Sequence, residues 1–388
     1  MTRIVVTGVG VVSAAGRGLD ATCAALRANR DGLRGLSRFA SPRCGHFPVG
    51  ECDAGGGPGP RAVALARPAL ADALAAWGAA TDQVALTLGC TVGGMPETEV
   101  AVGALLREGA EPPATVWAGH ECGAVTAALA AEADLGGPAV TVSNACASGA
   151  QAIADGAELL RAGLCRAVVA GGVDAICRLT LNGFASLLAI DPEGCRPFDA
   201  ARRGMSLGEG AAFLLLERED EARARGAAPL AALSGAASTC DAYHATRPEP
   251  DGRGAEAAMR QALDAAGLSP DRVDYVNAHG TGTPDNDRAE GRALRRLFGA
   301  APPAISSTKR VFGHTLGAAG AIEAAVCVAA LTRGLLPGTA GLGEVDPACE
   351  VTPLRDPRDG RPRVCLSNSF GFGGNNCALV LSLPEEAP

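Results

Sequence analysis

Short apolar runs bounded by glycine recur along this chain, and longer stretches dominated by Ala and Leu lie between them. The runs at residues 4–6, 84–88, 139–142, 167–170, 212–216, 274–277 and 377–381 have strand length. The stretches at 62–77, 149–162, 254–266 and 320–333 have helix length. Strands alternating with helices predict an α/β fold with buried sheets. Aromatic residues are only 3% of the chain, whereas Gly numbers 52. Such a core is built from Ala, Val, Leu and close backbone approach. With 47% hydrophobic and 20% charged residues it is well buried rather than disordered.

The 388 residues suffice for two domain-sized units or one large duplicated one. A Pro/Gly-rich stretch at 55–60 reads as a surface loop. So does 247–254, the best boundary between an N-terminal half, residues 1–246, and a C-terminal half, 247–388. A faint repeat supports two halves. Residues 139–142 lead to Cys146 and then to a small-residue segment running from Gly149 to Gly163. Residues 304–306 lead to Lys309 and then to a similar segment from Gly320 to Gly334, with Leu160 and Leu331 at matching places. An Ala-rich chain could also produce this match by chance.

Several function classes are disfavoured at once. A net charge of -8 and a pI near 5.3 argue against a nucleic-acid surface; Arg202-Arg203 and Lys309-Arg310 are candidate local basic patches or plain solvated faces. The 14 cysteines are scattered without a CxxC pair, which fits reduced, mostly buried thiols in the cytoplasm. The apolar start carries a single Arg and is broken by Gly8 and Gly10, so it reads as a strand and turn rather than a signal peptide. No apolar run approaches the roughly 20 residues that span a bilayer. Gly8-Val9-Gly10 lacks the third glycine of a dinucleotide loop. Neither Cys44, His46 and Cys52 nor His120 and Cys122 have standard zinc spacing, so no metal is expected.

Four segments carry groups able to do chemistry. In Thr141-Val142-Ser143-Asn144-Ala145-Cys146-Ala147-Ser148-Gly149 a strand ends, a small-residue turn follows and a helix begins. Cys146 therefore stands near a helix N-terminus, where the dipole favours a thiolate by about 1 kcal/mol. That is less than one pKa unit, so activation calls for a histidine as well; otherwise Cys146 is one more packing cysteine. His279 follows an apolar run and enters the loop Gly280-Thr281-Gly282-Thr283-Pro284, and His314 sits in Gly313-His314-Thr315-Leu316-Gly317 ahead of a helix. Strand ends opening into loops are where α/β proteins place reactive groups. The chain has only 5 His, which makes purely structural duty for both unattractive. The fourth segment, Ser367-Asn368-Ser369-Phe370-Gly371-Phe372-Gly373-Gly374-Asn375, is a glycine loop able to present N–H groups to an oxyanion, to cradle a phosphate, or simply to turn.

Together these segments resemble the β-ketoacyl-acyl-carrier-protein synthase family of the elongating Cys-His-His type, within the thiolase-like superfamily. The resemblance extends to Arg3-Ile4-Val5-Val6-Thr7-Gly8-Val9-Gly10, Arg196-Pro197-Phe198-Asp199, Gly208-Glu209-Gly210-Ala211, Asp241-Ala242-Tyr243-His244 and Asn286-Asp287, nearly the whole chain. The second histidine separates it from initiating and chalcone-type synthases, which have Asn there, and from thiolases, which use a second Cys. The resemblance implies a thiolase-like fold, two similar α/β halves in a five-layered αβαβα arrangement. It also implies a decarboxylative Claisen condensation without metal or redox cofactor. By resemblance Cys146 carries the acyl group, and His279 and His314 bind the malonyl carbonyl. Lys309 and Glu323 form a charged support pair. The N–H groups of Cys146 and Phe372 make an oxyanion hole, Phe372 gates the acyl pocket, and Thr281, Thr283 and Phe370 contact substrate. His244 is also brought near the site.

The implied partners are an acyl carrier protein and a second chain, either a copy of this one or a chain-length-factor-like relative. Asn144 and Arg203 depart from the family's usual Ser or Thr and Asp. Residues 179–184, 195–199 and 204–209 look closer to synthases of type II polyketide or polyene pathways than to those of fatty acid synthesis. Two other readings stand beside the condensing enzyme. A noncatalytic chain-length partner would not need Cys146, His279 and His314 together, and a cysteine hydrolase would leave the second histidine and Lys309 unexplained.

Overall fold

A computed structural model describes residues 2–53 and 59–386. Residues 55–58 of the expected 55–60 loop lie outside the described residues. Ten principal strands organise the chain: β1 (Ile4–Ser13), β2 (Val84–Gly89), β3 (Ala139–Val142), β4 (Ala167–Asp174), β5 (Gly210–Arg218), β6 (Ala231–Cys240), β7 (Tyr275–Asn277), β8 (Ala304–Ser306), β9 (Val364–Gly371) and β10 (Asn375–Ser382). Their spatial order is β8-β7-β9-β10-β6-β1-β5-β4-β2-β3.

This order contains the duplication. Counted within each set of five, the strands lie first-fifth-fourth-second-third in both. The first–fifth and fifth–fourth pairs are antiparallel, and the fourth–second and second–third pairs parallel, in both sets. A short antiparallel ladder between Ile4–Val6 of β1 and Ala231–Leu233 of β6 joins the two sheets. The second set opens with β6, on the N-terminal side of the 247–254 loop.

Six helices complete the layers: α1 (Arg61–Leu74), α2 (Cys122–Glu132), α3 (Ser148–Arg161), α4 (Arg253–Ala265), α5 (Pro284–Phe298) and α6 (Ala319–Arg333). Successive residues of a strand point to opposite faces, and both faces of these strands are covered. On β5, Ala212, Leu214 and Leu216 face a core shared with α3 and α6, while Ala211, Phe213 and Leu215 face α1 and α2. On β10, Cys377, Leu379 and Leu381 enter the same central core, and Ala378 and Val380 meet α4 and α5. Helices therefore fill the middle and both outsides, giving five layers, αβαβα. Gly8 and Gly10 lie within β1, where any Cβ would collide with the carbonyl oxygens of Ala73 and Ala69 of α1; they serve packing.

The central helices touch through their glycines. A Cβ on Gly149 would sit 2.7 Å from the Gly317 carbonyl oxygen, and one on Gly320 would sit 2.7 Å from the Ala150 nitrogen. This approach draws Cys146, just before α3, toward the segment carrying His314, just before α6. Gly320→Ala is expected to cost about 1–3 kcal/mol through overpacking, read as a lower denaturation midpoint with an unchanged slope. Contrary to the expectation that no run approaches spanning length, Leu316–Arg333 is long and apolar enough to cross a membrane. However, 89% of it is buried inside the protein, as the middle layer.

The two arginine- and lysine-containing pairs do not form basic patches. Arg202 is buried against Asp346 at 2.7 Å and Asp287 at 3.4 Å, and Lys309 is buried against Glu323. Arg203 pairs with Glu193 at 2.6 Å and Arg310 with Asp31 at 2.7 Å. Every cysteine is a free thiol, and all but Cys122 and Cys240 are buried.

Candidate active site

Cys146 occupies a strained turn between β3 and α3. Ala145 before it has φ +48°, a left-handed conformation uncommon for a residue with a side chain. Ser148 fixes the turn, its Oγ accepting the Asn144 N–H at 2.7 Å and donating to the Ala145 carbonyl at 2.6 Å. From the other half, β9 ends at Gly371, whose missing Cβ would lie 3.0 Å from the Cys146 nitrogen. A side chain there would crowd Ala145 and Cys146, so glycine favours this close approach. The next residue, Phe372, then directs its N–H to the Cys146 sulfur.

Burial pushes the Cys146 thiol up to about 11; the positive charge of Lys309 and the Phe372 N–H pull the other way without overcoming it. Burial therefore favours the thiol form of Cys146 over the thiolate. Alkylation of Cys146 by iodoacetamide, followed by peptide mass, is expected to keep accelerating above pH 9. A plateau near pH 8.5, the value for an unperturbed thiol, would contradict this.

His279 stands two residues beyond β7, and its loop is held from behind by a carboxylate. Glu290 of α5 accepts the His279 and Gly280 N–H groups, both at 2.8 Å, and the Asn368 amide at 3.0 Å. Gly280 has φ +34° and packs where a Cβ would meet the Ser307 Cβ at 2.6 Å. His314 follows Gly313, at φ +73°. Its N–H donates to the Ser206 carbonyl at 2.7 Å, and its own carbonyl accepts the Gly208 N–H at 2.9 Å. The two imidazole centroids lie 5.3 Å apart at 83°, and the Phe370 ring is 5.8 Å from that of His279.

Both rings are held well below the usual histidine range, chiefly by burial and then by the Lys309 charge; His279 is lowered further by His314. They are neutral at pH 7. Lys309 lies behind them, donating to the His279 carbonyl at 2.8 Å and forming an ion pair with Glu323. Burial raises Glu323 to about 7 in spite of that lysine. Breaking such a buried pair typically costs 3–5 kcal/mol, because one charge is left uncompensated.

A cavity of about 400 Å³ brings the predicted groups together. Cys146, His279, His314, Thr281, Thr283, Phe370 and Phe372 all line it; Lys309 and Glu323 support it from outside the wall. The Thr281 and Thr283 hydroxyls are bonded to each other at 2.8 Å. Phe372 meets Phe184 edge-on, with centroids 5.4 Å apart. Arg203 reaches the rim. His244 does not line the cavity; it is exposed, and its Nδ1 accepts the Thr246 N–H at 3.1 Å. Cys52 donates to the Glu209 carbonyl and His120 Nδ1 bonds the Thr98 hydroxyl. Among the described residues no cluster could hold a metal.

Sequence reasoning assigned no role to Glu290 or to Asp174. Asp174 ends β4 and is fully buried, accepting the N–H groups of Thr91, Val92 and Gly317. A lone acid closing the apolar run Ala167–Asp174 is a signal that would have found it. Asp241, Met205 and Asn376 also line the cavity.

Comparison with known proteins agrees with this architecture. The model of the "Beta-ketoacyl synthase, N-terminal domain" matches residues 61–222 and that of the "Beta-ketoacyl synthase, C-terminal domain" residues 230–343. The chain belongs to the beta-ketoacyl synthase family. It is 41% identical to Nodulation protein E of Rhizobium meliloti (strain 1021) over 76% of this chain and 74% of that protein. It is 34% identical to 3-oxoacyl-[acyl-carrier-protein] synthase 2 of Coxiella burnetii, over 98% of both. A solved structure described as the ishigamide ketosynthase/chain length factor superposes with a TM-score of 0.93 at 33% identity, covering 98% of this chain and 99% of that one.

Proposed function

We propose that this ketosynthase joins a Cys146-bound acyl group to a malonyl unit delivered on an acyl carrier protein, giving a 3-oxoacyl thioester and CO2. The observation that carries the reading is the single cavity bordered by Cys146, His279 and His314. In the first half-reaction the Cys146 sulfur attacks the incoming acyl thioester. A neutral imidazole takes the thiol proton and passes it to the carrier's sulfur, which leaves as a thiol. The Cys146 and Phe372 N–H groups hold the carbonyl oxygen as it gains charge; losing one such donor typically costs about 3–4 kcal/mol. In the second, the malonyl thioester oxygen accepts hydrogen bonds from His279 and His314. The bond to the carboxylate breaks, CO2 departs, and the electron pair becomes an enolate stabilised at that oxygen. The enolate carbon attacks the acyl-Cys146 carbonyl, the sulfur leaves as a thiolate, and a proton from solvent restores the thiol. Thr281, Thr283 and Phe370 guide the substrate arm and Phe372 gates the acyl side. Lys309 and Glu323 keep the histidines in place and uncharged.

The carrier is supported by the name of the Coxiella relative. A second ketosynthase-like subunit, either a copy or a chain-length factor, is supported by the ishigamide title and by β3. That strand is an exposed sheet edge bearing Val140, with Trp117 also exposed. The resemblance carried by residues 179–184, 195–199 and 204–209 favours a type II polyketide or polyene pathway over fatty acid synthesis. Free thiols throughout fit a cytoplasmic enzyme. Purified protein with acyl- and malonyl-loaded carriers is expected to yield a 3-oxoacyl carrier, detected by mass. Release of free acid alone would make it a cysteine hydrolase, and no acyl adduct at all a noncatalytic partner.

A further inference from the structure

Outside the cavity, two cysteines stand on either side of Gly93. The Gly93 N–H donates to the Cys90 sulfur at 3.4 Å, and a Cβ on Gly93 would lie 3.0 Å from the Cys122 nitrogen. Cys90 is buried just beyond β2. Cys122 opens α2, is half-buried and packs against the cluster that contains Cys90. We infer that Cys90 and Cys122 form a redox-modifiable dithiol, closing to a disulfide that slows the ketosynthase.

The chemistry is divided between the two. Cys122 stands at the first turn of an eleven-residue helix, where backbone N–H groups favour an anion. The Cys90 thiol, close enough to donate to its sulfur, holds Cys122 below the ordinary thiol value. Cys90 itself is pushed well above that value, first by this hydrogen bond and then by burial. Cys122, the more exposed and more acidic, is the attacking sulfur, and Cys90 resolves. With a hydroperoxide as oxidant, the Cys122 thiolate attacks the terminal oxygen and the O–O bond breaks, giving a sulfenic acid and an alcohol or water. The Cys90 sulfur then attacks the Cys122 sulfur, and the S–O bond breaks with loss of water. Two thiols lose two electrons and two protons; the hydroperoxide gains them.

The consequence for the site follows from what Cys90 touches. Its single S–H, when not turned to Cys122, reaches Asp174 Oδ1 at 3.4 Å. Asp174 in turn holds the Thr91 and Val92 N–H groups and, at 2.7 Å, that of Gly317, three residues from His314. Val92 packs in one cluster with Met205 and Leu316 beside the cavity. A disulfide removes the proton that Cys90 shares with Asp174 and draws its sulfur toward α2, disturbing both the 91–92 turn and the Gly317 anchor.

The test uses the intact protein, with Cys146 first acylated from its carrier to shield it. It is exposed to graded hydrogen peroxide, mapped without reduction, and assayed for condensation before and after dithiothreitol. The expected result is a linked peptide pair containing Cys90 and Cys122, with a several-fold fall in condensation rate that dithiothreitol reverses. Cys122→Ala is expected to keep the reduced rate and lose both the linkage and the reversible inhibition; Cys90→Ser is the second variant. Absence of the linked pair, or a linked protein condensing at the reduced rate, would overturn the inference. Only the activity arm rests on the ketosynthase reading. A chain that forms the linkage but never acylates Cys146 refutes that reading and, with it, the inhibitory role.

Discussion

Cys146→Ala is expected to eliminate acyl loading and lower condensation by at least about a thousandfold, while malonyl decarboxylation continues. The separation follows from the geometry. In the proposed mechanism the acyl group needs the sulfur at the β3–α3 turn, whereas the enolate relies on rings carried by the β7 loop and the segment before α6. Removing the sulfur leaves both histidines and their supports untouched: Glu290 behind His279, and Ser206 and Gly208 around His314. It also relieves the cavity of a group that burial makes reluctant to ionise. Intact mass after incubation with an acyl carrier, together with CO2 release from a malonyl carrier, checks both halves. An acyl adduct on the variant would place the nucleophile elsewhere among the 14 cysteines.

The site residues were legible because each chemical group sits in a short glycine-bounded segment where a strand gives way to a loop or helix. That chemistry is local. Of the supports, Lys309 and Glu323 came with the resemblance, whereas Asp174 and Glu290 went unassigned because their partners are distant in sequence. Asp174 holds backbone groups at 91–92 and 317, and nothing around residue 174 announces those partners. Glu290 belongs to α5, whose sequence Pro284–Phe298 is so charged that its buried stripe of Ala289, Ala293, Leu294 and Leu297 hardly registers. Among the strands, β6 is the weakest signal. Its sequence AALSGAASTC has no β-branched residue but one Thr, and it becomes a strand because β10 and β1 pair with it. With β6 hidden, the matching strand order of the halves could not be counted, and the repeat rested on the apolar runs 139–142 and 304–306, the glycine spacing of α3 and α6, and the matched Leu160 and Leu331. Composition did foretell the packing. A core this poor in aromatic rings closes through Gly149 and Gly320, and the same contact sets the distance between nucleophile and histidines.

Loss of His279 and His314 together should abolish malonyl decarboxylation, and each single Ala variant should lose about 10²–10⁴ in rate. The argument rests on charge. As CO2 leaves, the thioester oxygen becomes an enolate oxygen, and donors count for more in a buried site than in water. The rings are neutral, so each can donate one N–H. The Nδ1 of each is buried without a hydrogen-bond partner, which leaves Nε2–H as the donor we assign to the substrate. Burial and Lys309 depress both pKa values, so protonation of the rings begins only well below pH 6.5. Decarboxylation should accordingly be flat from pH 6.5 upward through neutrality, with its acid limb displaced well below the usual histidine range. Lys309→Met removes a positive charge that disfavours imidazolium, so the limb should move toward higher pH. Glu323, already raised to about 7, should then be protonated at neutral pH, which spares the fold an unpaired buried carboxylate. The check is CO2 release from a malonyl carrier between pH 5 and 8 for wild type, both single variants, the double variant and Lys309→Met. CO2 release by the double variant at the wild-type rate would remove the histidines from the chemistry. An unshifted limb in Lys309→Met would leave the lysine the structural roles of its hydrogen bond to the His279 carbonyl and its pairing with Glu323.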